Sequence, residues 1–165
     1  MISPISVEIE YPSLVNEKQN KKTARILGET FMGGHSELKS IFQYACHYFN
    51  FKKFGEEKSA NVFLGILLCE MNHMEILGEL LLKLGANPVY YLPIPLFNDF
   101  LLRQVNFNKT KRKMVLEMIS AEMVSIERYK KIVNNVSSDI TRAVIERIIL
   151  DEELHVKVLK ELLVG

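Results

Sequence analysis

The chain has 165 residues, with 21 Lys and Arg against 20 Asp and Glu, a net charge of +1. That length suits one domain with a sizeable core, and the near-neutral balance predicts neither a nucleic-acid partner nor a membrane surface. A hydrophobic share of 48% with 25% charged residues is that of an ordinary folded domain, not a disordered chain. Residues 1–10 lack the basic stretch and apolar core of a signal peptide, and apolar runs such as 62–68 are too short to span a bilayer. A cytoplasmic location is therefore expected, in keeping with two cysteines, Cys46 and Cys69, that form no Cys-x-x-Cys. Their spacing excludes a rubredoxin or zinc-ribbon module.

Residues 1–19 carry Pro4 and Pro12 and little periodicity, which predicts an arm on the surface of a helical domain. A helical pattern begins near residue 20 and meets Gly33-Gly34. The residues leave open whether the first helix runs through the glycines or restarts after them. Ser36 is placed to cap a helix over 37–53, with Leu38, Ile41, Phe42, Ala45, Tyr48 and Phe49 as its inward stripe. After Phe54-Gly55, a second helix is predicted over 57–84, with Leu64, Leu67, Leu68, Met71, Met74, Leu77, Leu81 and Leu84 as its apolar face. Gly85 and Asn87-Pro88 end it. Residues 86–108, with Pro88, Pro93 and Pro95, are too long for a tight turn and predict one long crossover. A third helix is expected over 110–134 and a fourth from 138 to about 163, with Ser138 as N-cap and Asp139 in the favourable first turn. No stretch shows strand alternation. The expectation is an all-α, four-helix domain spanning 1–165.

Two stretches read Glu-x-x-His: Glu70-Met71-Asn72-His73 and Glu152-Glu153-Leu154-His155. On a helix, residues three apart share a face, so each motif aims a carboxylate and an imidazole the same way. They fall on the second and fourth helices. One further Glu from each of the other two completes a four-Glu, two-His donor set for two metal ions. Glu37 and Glu122 fill those places: Glu37 lies 33 positions before Glu70, and Glu122 lies 30 before Glu152. Glu122 is preferred to Glu117 and Glu127 because Met118, Ile119 and Ile126 flank it at helical spacing. Glu153 reads as a solvated or inter-helix charge, His35 and His47 as non-ligands, and Met71, Met74, Met114, Met118 and Met123 as core filler. Carboxylates with imidazole suit iron or manganese, and burying four Glu without cations would be very costly.

The same residues resemble the ferritin-like superfamily. Glu37-Leu38 with Gln43-Tyr44, Glu70-Met71-Asn72-His73 and Gly85-Ala86-Asn87-Pro88 are similar to the first helix pair of bacterioferritins. Ala121-Glu122 and Asp151-Glu152-Glu153-Leu154-His155 are similar to the second pair. Tyr11-Pro12 and the run from Phe31 to Leu38 look like manganese-catalase-like and spore-coat relatives. The resemblance implies a four-helix bundle with a dinuclear centre, two iron ions or alternatively two manganese ions, that reacts with O2 or hydrogen peroxide. Tyr44 matches a tyrosine close to the metals, with a catalytic role as hydrogen-bond or electron donor beside the plain reading of a core tyrosine. Met71 matches the haem-ligating position of bacterioferritin dimers, and a homodimer is expected.

Three departures shape the expectation. Many relatives place Asp before both Glu-x-x-His motifs to orient the opposite histidine. Asp151 keeps one, and Cys69 stands at the other. Asp151 is therefore expected to reach His73, and His155 to be held by a backbone carbonyl, a water or nothing. Ile119 stands where rubrerythrins carry an extra Glu. The sequence stops ten residues past His155, without the closing helix of bacterioferritin cages, so a cage-forming iron store is not expected. The leading expectation is a diiron oxidoreductase with an external electron donor. A dimanganese catalase, and a non-catalytic metal-binding or structural coat protein, are the alternatives.

Overall fold

A computed structural model describes residues 2–32, 36–88 and 110–164. They form five helices: α1 (Lys21–Met32), α2 (Glu37–Lys53), α3 (Glu57–Lys83), α4 (Lys111–Asn135) and α5 (Asp139–Val164). The expected four are α2 to α5, and α1 is a separate helix. The Gly33-Gly34 pair lies outside the described residues, as does nearly all of the expected crossover.

Local chemistry accounts for the boundaries. Asn20 Oδ1 accepts from Thr23 N (3.0 Å) to start α1. Ser36 Oγ accepts from Lys39 N (3.4 Å) to start α2, and Ser138 Oγ accepts from Thr141 N (3.2 Å) to start α5. Each satisfies a backbone donor that the first helical turn leaves open. Gly55 and Gly85 take φ of 70° and 84°, a left-handed conformation that costs glycine little. After each glycine the chain closes back: Glu56 N reaches Phe51 O (3.0 Å), and Ala86 N reaches Leu81 O (2.9 Å). This double capping ends α2 and α3.

Helices α2 and α3 pack as one pair and α4 and α5 as another, with α3 against α5 joining the pairs. Two apolar clusters fill opposite parts of the bundle. One joins Leu27 of α1 to Leu77, Leu81, Tyr129, Val144 and Ile148. The other gathers Tyr44, Phe51, Phe63, Ile66, Met118 and Leu159. Helix α1 thus covers the first cluster, which four helices alone would leave open.

The apolar stripes expected on α2 and α3 require correction. The buried face of α2 runs through Glu37, Tyr44, His47 and Phe51, while Phe49 is 67% exposed. On α3 it runs through Phe63, Ile66, Glu70, His73 and Leu77, while Met71 is 52% exposed. Met71 and Met123 are therefore surface residues rather than core filler. Both helices are apolar on more than one face, and the face that turned inward is the one carrying the polar motif. Among the described residues α3 alone is long and apolar enough to cross a membrane by length and composition, yet its buried face carries Glu70 and His73.

Candidate metal centre

Glu37 stands in the first turn of α2, directly after its Ser36 cap. Glu70 and His73 come from the middle of α3, Glu122 from α4, and Glu152 and His155 from α5. All six are buried, none more than 2% exposed. The structure brings them together, with the two imidazole rings 6.0 Å apart between centroids.

They sort into two overlapping groups. Glu37, Glu70, His73 and Glu152 present ligand atoms within 4.8 Å of one another, and so do Glu70, Glu122, Glu152 and His155. Glu70 and Glu152 belong to both. Each turns one oxygen to each histidine. His73 Nδ1 lies 3.8 Å from Glu70 Oε2 and 3.6 Å from Glu152 Oε1. His155 Nδ1 lies 3.3 Å from Glu70 Oε1 and 3.4 Å from Glu152 Oε2. Glu37 approaches only the His73 side, its Oε2 3.7 Å from His73 Nδ1.

Whether this set fits metal ions is tested by its unsatisfied atoms. Glu37 Oε2, Glu70 Oε1, His73 Nδ1, Glu152 Oε2 and His155 Nδ1 are buried and accept or donate no hydrogen bond. Buried polar atoms are rarely left so, and five of them face a common centre. Two divalent cations would offset the four carboxylate charges and take up these lone pairs. The residues fit the group.

Outward of the ligands, each half is held by its own hydrogen bonds. His73 Nε2 donates to Asp151 Oδ2 (3.1 Å). Asp151 also accepts from Val7 N–H (2.8 Å) and the Tyr11 hydroxyl (3.1 Å), and it forms an ion pair with Arg147 (2.7 Å). These outweigh the burial that opposes ionisation and hold Asp151 well below the usual carboxylate range. His155 Nε2 donates to the backbone carbonyl of Ile5 (2.9 Å). Cys69 Sγ lies 3.5 Å from His73 Nε2, and its thiol also acts on His155. Asp151 reaches His73 as expected, and of the alternatives left open for His155 the structure shows a backbone carbonyl.

The carboxylates do not ionise alike in the metal-free protein. Burial, then the neighbouring charges of Glu37 and Glu122, raise Glu70 to about 7. Burial and the neighbouring Glu152 also hold Glu122 well above the usual carboxylate range. For Glu37 burial is overcome by the closeness of His73 and Glu70 and by the Tyr129 hydroxyl, which lower it to about 2. Both histidines are raised despite burial, because hydrogen-bonding acceptors surround them.

Two tyrosines tie the halves together. Tyr44 of α2 donates its hydroxyl to Glu122 Oε1 of α4, and Tyr129 of α4 donates to Glu37 Oε1 of α2. Both are fully buried, and burial with the adjacent carboxylate raises both phenols. Tyr129 escaped the sequence reading, although it follows Glu122 by the same seven positions that separate Tyr44 from Glu37. Arg147 and the arm residues Ile5, Val7 and Tyr11 also escaped it. Arg147 precedes Asp151 by one helical turn, which was the available signal. The arm offered none, since its contacts are largely backbone.

The residues set aside lie elsewhere. Glu127 is exposed, Glu153 is 3.6 Å from Lys130 across α4 and α5, and His47 Nε2 is 3.6 Å from Glu117 Oε2. His35 is outside the described residues. Compared with known proteins, the chain matches no family model and no curated protein. The fold shown is a helical bundle carrying acidic and histidine groups able to hold metal.

Proposed function

We propose that this chain is a ferritin-like dinuclear metal protein and an oxidoreductase acting on O2 or hydrogen peroxide. Glu37 and His73 would hold one ion, Glu122 and His155 the other, and Glu70 and Glu152 would serve both. The observation that carries the reading is the division of Glu70 and Glu152, each with one oxygen towards each histidine. The ions supply redox equivalents and Lewis acidity when bound. The chain's own residues do the rest. Asp151 and the Ile5 carbonyl orient the imidazoles, Tyr44 and Tyr129 hold the terminal carboxylates, and the two apolar clusters keep bulk water from the centre. Tyr44 and Tyr129 place phenolic protons one bond from the ligands, where reduction of peroxide to water consumes protons.

Iron is the proposed resident metal, with electrons from an external donor. Manganese with catalase activity is the second reading, because the same carboxylate and imidazole donors suit either ion. Elemental analysis of protein purified without oxygen identifies the metal. Peroxide loss that needs added reductant then supports the peroxidase reading, and O2 release without reductant supports the catalase. Protein that retains neither metal sinks both and favours a structural role. Size in solution tests the expected homodimer against a cage.

A further inference from the structure

The arm before α1 does more than cover the bundle. The backbone of Ile5 bridges two helices of opposite pairs. Its N–H donates to Gly65 O of α3 (2.9 Å), and its carbonyl accepts from His155 Nε2 of α5 (2.9 Å). The seat on α3 is bare backbone. A Cβ added at Gly65 would stand 2.7 Å from Ile5 Cγ1, 2.9 Å from Ile5 Cδ1 and 3.3 Å from Ser3 O. Glycine in mid-helix is otherwise unfavourable, so this close approach is its structural reason. Beyond Ile5 the arm is clamped again. Arg147 donates to Val7 O (2.9 Å) and Ile9 O (2.6 Å), and its guanidinium lies 4.6 Å from the Tyr11 ring centre.

We propose that the Ile5 carbonyl is a positioning group for His155, and that seating of the arm on Gly65 sets how tightly the His155 half of the centre holds its metal. The proposal rests on the dinuclear reading above. The related position on α3 holds Cys69, a weak acceptor, where α5 offers Asp151 to His73. A metal-bound histidine needs its outer nitrogen engaged to fix its ring, and loss of that partner typically weakens affinity about 10–100-fold. On the His73 side the partner is a side chain rooted in a helix. On the His155 side it is a segment attached by a few hydrogen bonds, and such segments open locally at less cost than the core. Arm opening therefore takes away the partner of His155 itself, whereas His73 keeps Asp151, which loses only its Val7 and Tyr11 contacts.

The test is Gly65→Ala. Alanine favours the helix, and its methyl would stand within 3 Å of the Ile5 side chain, which forces the arm's seat to shift. In Fe(II) titration under nitrogen, one of two binding steps should weaken about 10–100-fold while the other holds. The double variant Gly65→Ala with Ile5→Ala removes the clashing Cγ1 and Cδ1 atoms and should restore that step. In metal-free protein, NMR should show faster solvent exchange of the Ile5 amide and the His155 Nε2 proton in Gly65→Ala, reversed in the double variant. Unchanged Fe(II) steps and unchanged exchange in Gly65→Ala, or a loss that Ile5→Ala fails to reverse, would overturn the proposal. If the unmodified chain binds no Fe(II), the dinuclear reading fails. The exchange measurement, made without metal, still decides whether the arm holds His155.

Discussion

His73 and His155 stand at matching places in the two halves of the centre, and their surroundings diverge one step outward. Towards the centre they are equivalent: each imidazole turns Nδ1 to one oxygen of Glu70 and one of Glu152. Away from it, His73 meets a buried, ionised Asp151 backed by Arg147, Tyr11 and Val7. His155 meets a neutral carbonyl. The inner ligands follow the repeat of the helix pairs, as the proposed pair of like ions would require. The outer partners need only hold a ring in place, and a carboxylate or a carbonyl does so, though a carboxylate makes the histidine a better ligand. The difference predicts two metal sites of unequal affinity built from the same donors.

The largest expected effect tests the shared part. Glu70→Ala removes a carboxylate common to both groups and should lower metal content of both halves, by more than the roughly 100-fold at the top of the range for outer-partner losses. Glu127→Ala, on the exposed face of α4, should leave metal content unchanged. Equal metal content in the two variants, measured by elemental analysis, would break the assignment.

Next comes the outer part. Asp151→Ala leaves Arg147, 6% exposed, without its carboxylate. Breaking a buried pair in this way costs about 3–5 kcal/mol, so the denaturation midpoint should fall sharply. Cys69→Ala, which disturbs no ion pair, should cost about 1 kcal/mol, the typical value for a point change. Similar losses in the two would show that the buried Arg147–Asp151 pair adds nothing to stability.

The tyrosines should behave as a pair. In metal-loaded protein, where both carboxylates would be ionised, Tyr44→Phe and Tyr129→Phe each remove a hydroxyl donor to a buried carboxylate, an interaction of about 1.5–3 kcal/mol. Closely matched losses in chemical denaturation support the cross-tied symmetry. A large mismatch would show that the asymmetry reaches the inner ligands.

The smallest effect is on pH. Metal must displace protons held by the ligands. In the metal-free protein Glu70 titrates at about 7, and Glu122 and both histidines are also raised. These groups carry protons below their raised values, so affinity should rise with pH through neutrality and be lost as pH falls, about tenfold per pH unit for each proton released. Glu37, held near 2, should contribute nothing there. Calorimetric titration in buffers of different ionisation enthalpy counts the protons, and zero release would contradict the raised values.

Much of the centre was legible in the residues alone, because helical geometry converts spacing into direction. Glu70 with His73, and Glu152 with His155, had to share faces once their segments were helical. Glu122 followed from its apolar neighbours at helical spacing. The stops at Gly55 and Gly85 and the caps at Ser36 and Ser138 were equally local. The apolar stripes were not legible on α2 and α3. Both helices are apolar on more than one side, and periodicity does not say which side meets a neighbour.

The sequence by itself determined the four bundle helices, most of their ends and the donors each would carry, since these depend on residues within one or two turns. Only the tertiary structure decided that Tyr44 and Tyr129 cross to the opposite pair, that Arg147 is buried against Asp151, and that α1 closes one end of the core. It alone turned residues 2–12 from surface covering into a partner of the centre. The contacts of Ile5 with Gly65 and His155 join residues far apart in the chain through peptide groups that every residue possesses. A backbone donor or acceptor has no signature in the sequence until the fold brings its partner within reach.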